Sequence, residues 1–193
     1  MTQIDIEAYL SARDLRLGEL IDRQSERWPI SATEYPIWGL IRIVIAQQVS
    51  THVACSIADR LKTLYPTIST ARSGAMPGVA GLRALGLPER RAKTCVEILT
   101  RSEEIVARVD SGELWESALQ GIKGIGPWTI ATFRIMVLRH PDVLPLGDVG
   151  LERAVRKAYG EQATASDVSE KWRPYRSVAC WYLWRTLGNK QLG

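Results

Sequence analysis

Leu119-Gln120-Gly121-Ile122-Lys123-Gly124-Ile125-Gly126-Pro127-Trp128-Thr129 is the most informative stretch of this 193-residue chain. Its glycines weaken a helix, while the residues on either side carry helical patterning, so it reads as a tight turn joining two helices. Pro127 suits the first turn of the second helix, where a missing N–H leaves no bond unmade. The turn ends on a helix N-terminus with unpaired amides and a positive dipole end, suited to holding a phosphate. Lys123 at the tip adds charge. A plain helix–helix turn with glycine caps would explain a lone Gly-x-Gly. The alternating glycines, the proline and the length of the second helix favour a module that grips backbone phosphates without reading sequence.

Outward from this turn the chain reads as helix after helix. Ile37, Leu40, Ile41, Val44 and Ile45 fall at helical spacing and form one apolar stripe. Val53, Ile57, Leu61 and Leu64 predict a second helix that Tyr65-Pro66 ends. Gly74, Pro77, Gly78, Gly81 and Gly86 leave room only for short helices between Thr67 and Leu87. Helical periodicity returns over Pro88–Val109, with Ala92, Val96, Leu99 and Val106 facing inward. A short helix over Leu114–Leu119 precedes the turn and Trp128–Leu138 follows it. Pro141 and Pro145 break the chain before two closing helices, Leu151–Tyr159 and Val168–Leu187. The last is apolar on several faces, with Tyr175, Val178, Trp181, Tyr182, Leu183 and Trp184, so it is expected along an interface or a pocket. With no strand alternation, the fold is predicted all-α.

Composition sets the outer bounds. Hydrophobic residues make up 46% and charged residues 24% of the chain, an ordinary balance for a globular protein. No run of about 18 apolar residues suggests a membrane span. The N-terminus lacks a basic start and an apolar signal core, so a cytoplasmic address is expected. The 25 basic and 21 acidic residues give a net charge of +4, which permits an anionic partner without proving one. Cys55, Cys95 and Cys180 are far apart, an arrangement that argues against a disulfide framework, a zinc site or an iron–sulfur cluster. His52 and His140 are the only histidines, and they make no ligand cluster and no His-based triad.

Beyond the turn comes Pro145-Leu146-Gly147-Asp148-Val149-Gly150-Leu151. Taken alone, Asp148 is an N-cap for the helix that follows. A catalytic role is compatible with that one, because the positive end of a helix stabilises a carboxylate. The glycine turn, the intervening helix and the Leu-Gly-Asp loop together resemble the helix-hairpin-helix base-excision DNA glycosylases. Within that superfamily the chain most resembles the 3-methyladenine DNA glycosylase II group. Three further segments carry the resemblance: Ile45-Ala46-Gln47-Gln48-Val49-Ser50; Leu85-Gly86-Leu87-Pro88 with Arg91-Ala92; and Trp172-Arg173-Pro174-Tyr175-Arg176-Ser177 with Ala179 and Trp184 behind it. It runs from about residue 35 to the C-terminus. Two departures stand out: the chain is too short to include the extra β-rich N-terminal domain of many bacterial members, and the loop reads Leu146-Gly147-Asp148 rather than Gly-Pro-Asp, a common variation that leaves the aspartate in place.

The resemblance implies a monofunctional glycosylase that flips a damaged base, an N3- or N7-alkylated purine, out of duplex DNA and hydrolyses it. Asp148 is the implied catalytic carboxylate, stabilising the oxocarbenium-like sugar and steering water. Trp128, Thr132 and Trp184 are the implied base pocket, since aromatic faces suit a cationic base. Thr132 falls where some relatives carry an aromatic, and a smaller residue there would reshape the pocket. Gln48 is the implied wedge that fills the gap in the duplex. Lys123, Gly124, Gly126 and Thr129 are the implied DNA-backbone contacts, with Arg42, Arg134, Arg173 and Arg176 as further candidates. Bifunctional relatives place a Schiff-base lysine where this chain has Trp128, so no lyase activity is expected. The carbonyls of Gln120, Ile122 and Ile125 match positions at which the family holds Na+ or K+. Catalysis itself needs no cofactor. Trp28, Trp38, Trp115, Trp172 and Trp181 read as packing.

Two helical lobes around a cleft are expected: residues 36–140 with the hairpin at about 113–138, and residues 1–35 plus 141–193 carrying Asp148. The expected partner is damaged duplex DNA, bound by a monomer with no membrane contact. Three other readings stay open. One is a non-catalytic helix-hairpin-helix DNA-binding protein. Another is a glycosylase for uracil, hypoxanthine or mismatched bases. The third, a generic helical interaction protein, explains the periodicity but not the ordered motifs.

Overall fold

The structure, a computed structural model, describes residues 2–47, 49, 51–64 and 77–188. Those residues form helices α1 (Gln3–Arg13), α2 (Leu15–Asp22), α3 (Pro36–Ala46), α4 (Thr51–Leu64), α5 (Val79–Ala84), α6 (Glu89–Thr100), α7 (Ser102–Asp110), α8 (Trp115–Ala118), α9 (Pro127–Met136), α10 (Val149–Tyr159), α11 (Ala165–Ser169) and α12 (Arg176–Arg185). A 3₁₀ turn, Glu170–Trp172, joins α11 to the loop before α12. The described residues contain no strand. No helix among them is long and apolar enough to cross a membrane.

The chain divides into two compact units, residues 33–130 and residues 1–32 with 131–193. The second boundary falls inside α9, ten residues before the boundary read from the prolines at His140. Phe133, Ile135 and Met136 on the C-terminal part of α9, and Val137 just after it, are all buried.

In the unit of residues 33–130, α3 is the central hydrophobic helix. Leu40, Ile41, Ile43, Val44 and Ile45 are buried, and α4 and α6 pack against it. Fully burying an aliphatic side chain of this size is worth about 1.5–3 kcal/mol, so this stripe anchors the unit. α4 departs from the expected stripe. Ile57 and Leu61 are buried, with Ala54 and Ala58 beside them, whereas Val53 and Leu64 are exposed. Small alanines let α4 approach closely, which periodicity of large residues alone does not reveal. The predicted helix over Pro88–Val109 is two helices, broken at Arg101 (φ −95°, ψ 5°). The Ser102 hydroxyl donates to the Leu99 carbonyl at 2.8 Å, a local bond that competes with helix continuation. Ile105 takes the fully buried position that Val106 was expected to share.

In the other unit, α12 is buried continuously from Ser177 to Arg185 and packs on α2, α10 and the 3₁₀ turn. This is why it is apolar on several faces. The expected single helix over Val168–Leu187 is instead α11, the 3₁₀ turn and α12. Pro174 lacks an N–H and blocks helix at the residue before it. α1 and α2 were not read from the sequence. Thr2 and Asp5 cap α1 reciprocally, and Asp14 ends α1 while capping α2 through Leu17 N at 3.2 Å. Trp28 and Trp181 meet edge to face at 6.1 Å, and Trp172 is fully buried, so these three tryptophans are packing residues.

Candidate active site and DNA-binding hairpin

The turn between α8 and α9 takes its shape from two left-handed glycines, Gly121 at φ 85° and Gly124 at φ 96°. Leu119 and Ile122 are buried and anchor it, while Lys123 is exposed at its tip. Gly126 needs no left-handed backbone. A Cβ there would meet nothing within 4 Å, so its role is open space beside the first turn of α9 rather than a special φ. Pro127 is the first residue of α9, as its ring requires.

Two side chains from elsewhere in the same unit brace the hairpin. The Thr94 hydroxyl on α6 donates to the Lys123 carbonyl at 2.7 Å. A Cβ on Gly124 would run into that hydroxyl, so glycine is required there for space as well as for φ. Gln47, the residue that ends α3, donates from Nε2 to Thr129 Oγ1 at 3.0 Å and to the Gly124 carbonyl at 3.3 Å. Thr129 is only 3% exposed and its hydroxyl is committed inside the protein. The Thr129 side chain is therefore turned inward, while its backbone N–H lies in the first turn of α9. The Ile122 carbonyl accepts the Ile125 N–H at 3.1 Å, and its second lone pair is compatible with the expected cation site. Gln48 lies outside the described residues.

Asp148 caps α10 and is 8% exposed. Its Oδ1 accepts the Leu151 N–H, which is the N-cap bond, and also the Trp184 indole N–H at 2.9 Å. The loop before it turns at Gly147 (φ 76°) and closes with Asp148 N donating to the Pro145 carbonyl at 3.2 Å. α12 secures this loop from its other end. Ser177 Oγ accepts the Val143 N–H at 2.9 Å, and Ser177 N donates to the Pro141 carbonyl at 3.0 Å. The Arg176 guanidinium grips Asp142 through Nε at 2.6 Å and Nη2 at 3.1 Å. Burial pushes the Asp142 carboxyl up, but the Arg176 bonds outweigh it and hold the group below the usual carboxylate range.

Arg176 thus anchors the loop through Asp142, and Arg173 pairs with Glu170 at 2.8 Å and Asp142 at 3.4 Å. Thr132 is 2% exposed, and its hydroxyl has no hydrogen-bond partner among the described residues. Trp128 is half-buried. Leu146 and Val149, either side of Asp148, are exposed. Gln47, Thr94, Ser177 and Gly150 carry structural roles that reading the sequence did not assign. Gln47 and Ser177 stand within the recognised motifs; nothing in the sequence distinguishes Thr94 from any other helix threonine. Among the described residues no three His, Cys, Asp or Glu side chains gather to hold a metal ion.

The profile of the HhH-GPD superfamily base excision DNA repair proteins matches residues 41–176, from the middle of α3 to the start of α12. The chain belongs to this superfamily. The match takes in the hairpin and Asp148. Among curated HhH-GPD relatives, the "Probable bifunctional transcriptional activator/DNA repair enzyme AlkA" of Mycobacterium tuberculosis is 34% identical over 161 residues, covering 76% of this chain and 32% of that protein. The chain therefore spans about a third of the length of the first curated relatives it matches. DNA-3-methyladenine glycosylase 1 of Schizosaccharomyces pombe is 29% identical over 93% of this chain and 86% of its own length. A solved structure of the 3-methyladenine DNA glycosylase Mag1 from the same yeast, in complex with abasic DNA, superposes with a TM-score of 0.74 at 25% identity, covering 95% of this chain and 97% of that one.

Proposed function

We propose that the chain is a monofunctional DNA glycosylase that removes alkylated purines from duplex DNA by hydrolysis. One observation carries the reading: a carboxylate, Asp148, held by the N-terminus of α10 and the Trp184 indole in a chain that also bears the phosphate-gripping hairpin. The relatives named as 3-methyladenine glycosylases, and the abasic DNA bound by the yeast structure, support it.

The hairpin grips the DNA backbone through the N-terminal amides of α9 and the charge of Lys123, and the target nucleotide turns out of the stack. As the C1′–N bond breaks, the base departs with the bonding pair and positive charge grows on the sugar. Asp148 stabilises that charge and orients a water, whose oxygen bonds to C1′ and whose proton passes to the carboxylate or to solvent. An alkylated purine is already cationic, so its departure needs no dedicated acid. Trp128 stands where a Schiff-base lysine would be required, so the product is an abasic site in an uncut strand. The protein works as a monomer and needs no catalytic cofactor; the Gln120, Ile122 and Ile125 carbonyls would hold a Na+ or K+ ion, which would add positive charge beside a bound phosphate.

Single-turnover base release from duplexes that each carry one defined lesion tests this. Asp148→Asn should slow release by about a hundredfold or more while retaining DNA binding. If wild type binds every duplex and releases nothing, a non-catalytic DNA-binding protein is the correct reading.

A further inference from the structure

Two residues near Asp148 share one geometry. Asp148 Oδ1 receives two N–H donors, one from Leu151 on its own helix and one from Trp184 on α12, at 2.9 Å for the indole. Gly150 lies between them. A Cβ built on it would stand 3.2 Å from Asp148 Oδ1 and 3.7 and 3.8 Å from Trp184 Cδ1 and Nε1. The backbone of Gly150 is not left-handed, so glycine is not needed for conformation. What it supplies is the space through which indole and carboxylate meet.

We propose that Trp184 and Gly150 are positioning residues for Asp148: the indole N–H, admitted by the missing side chain of residue 150, sets the orientation of the reacting carboxylate. This rests on the glycosylase reading above and deepens it. The Leu151 N–H belongs to the helix that Asp148 itself begins. The second donor comes from a different helix, so the two together fix the group's plane. A preorganised charge is what stabilises a developing cation without reorganisation at the moment of reaction. Trp184 is 7% exposed and Asp148 8%, so water competes little for this bond. α12 thereby acts on the site twice, holding the 141–148 loop through Arg176 and Ser177 and aiming its carboxylate through Trp184.

The test is a double-mutant cycle read by single-turnover base release from an alkylated duplex, with binding to an abasic-analogue duplex and thermal melting measured alongside. Trp184→Phe keeps a ring and removes the N–H. Release should fall about tenfold or more in the wild-type background, and no further in the Asp148→Asn background, because a residue that acts through another has nothing left to act on. Gly150→Ala is the second variant: alanine favours helix over glycine, so its melting temperature should hold or rise while release falls by a similar factor. Trp184→Phe releasing base at the wild-type rate, or slowing Asp148→Asn by the same factor as wild type, would overturn the inference while leaving the glycosylase reading intact. Wild-type protein that releases no base would overturn the glycosylase reading and the inference with it.

Discussion

Asp14 and Trp172 stand 158 positions apart in sequence, and the indole N–H of Trp172 donates to Asp14 Oδ2 at 2.7 Å in the interior of the protein. The same oxygen accepts the Tyr159 hydroxyl at 2.6 Å and lies 3.0 Å from Lys171 Nζ, while Oδ1 caps α2. One carboxylate therefore ties the start of α2 to α10 and to the 3₁₀ turn before α12.

Asp14→Ala should destabilise the protein by about 2–4 kcal/mol, because it strands buried donors on Trp172 and Tyr159 as well as removing the cap. Burial pushes the Asp14 carboxyl up, but the bonds from Trp172, Tyr159, Leu17 N and Lys171 prevail and hold it below the usual range. A carboxylate depressed in the folded state contributes its full stabilisation above the unfolded value of about 3.9 and loses it as pH falls through the folded value. The stability gap between wild type and Asp14→Asn should thus be constant near neutrality and shrink below about pH 4, as read by urea titration across pH.

The hairpin should be sensitive to single methyl groups. Gly124→Ala places a Cβ against the Thr94 hydroxyl and forces alanine into the left-handed region, which by itself costs about 1–2 kcal/mol. Thr94→Val removes the hydroxyl that bonds the Lys123 carbonyl and, within α6, the Arg90 carbonyl, and should cost about 1 kcal/mol. Thermal melts that rank Thr94→Val as the more damaging change would contradict this account of the turn.

Gln47 braces the hairpin without reaching the tip. Gln47→Ala should weaken binding to an abasic-analogue duplex by about fivefold, the worth of roughly one hydrogen bond, and leave the rate of base release at saturating protein nearly unchanged. Fluorescence anisotropy and single-turnover kinetics on the same duplex separate the two effects.

Lys123 supplies charge at an exposed tip. Lys123→Ala should lower the slope of log affinity against log salt by about 1 and weaken all duplexes alike, damaged or not. A slope equal to wild type would remove Lys123 from the interface.

The cysteines offer an inexpensive check on the cores. Burial pushes the Cys95 thiol up to about 12 and raises that of Cys180 further, with the charge of Asp148 adding to the effect at Cys180. Neither should react with an aromatic disulfide reagent near neutral pH until the protein unfolds. More than one fast thiol in the native protein would contradict their burial.

The sequence by itself determined what depends on neighbours along the chain. Helical spacing gave α3 and α9, the glycines and Pro127 gave the hairpin, and the position of Asp148 before an amphipathic run gave the cap of α10. These are short-range effects, in which backbone conformation and side-chain spacing act over a few residues. The tertiary structure alone decided which distant groups share a bond: Trp184 with Asp148, Thr94 with Lys123, Gln47 with Thr129, Trp172 with Asp14. It also showed that the Thr129 hydroxyl is held by Gln47 and the Arg176 guanidinium by Asp142. Such pairings depend on how whole helices pack. Packing is a sum of many small contacts across elements, and no local pattern in the chain records where each sum comes out.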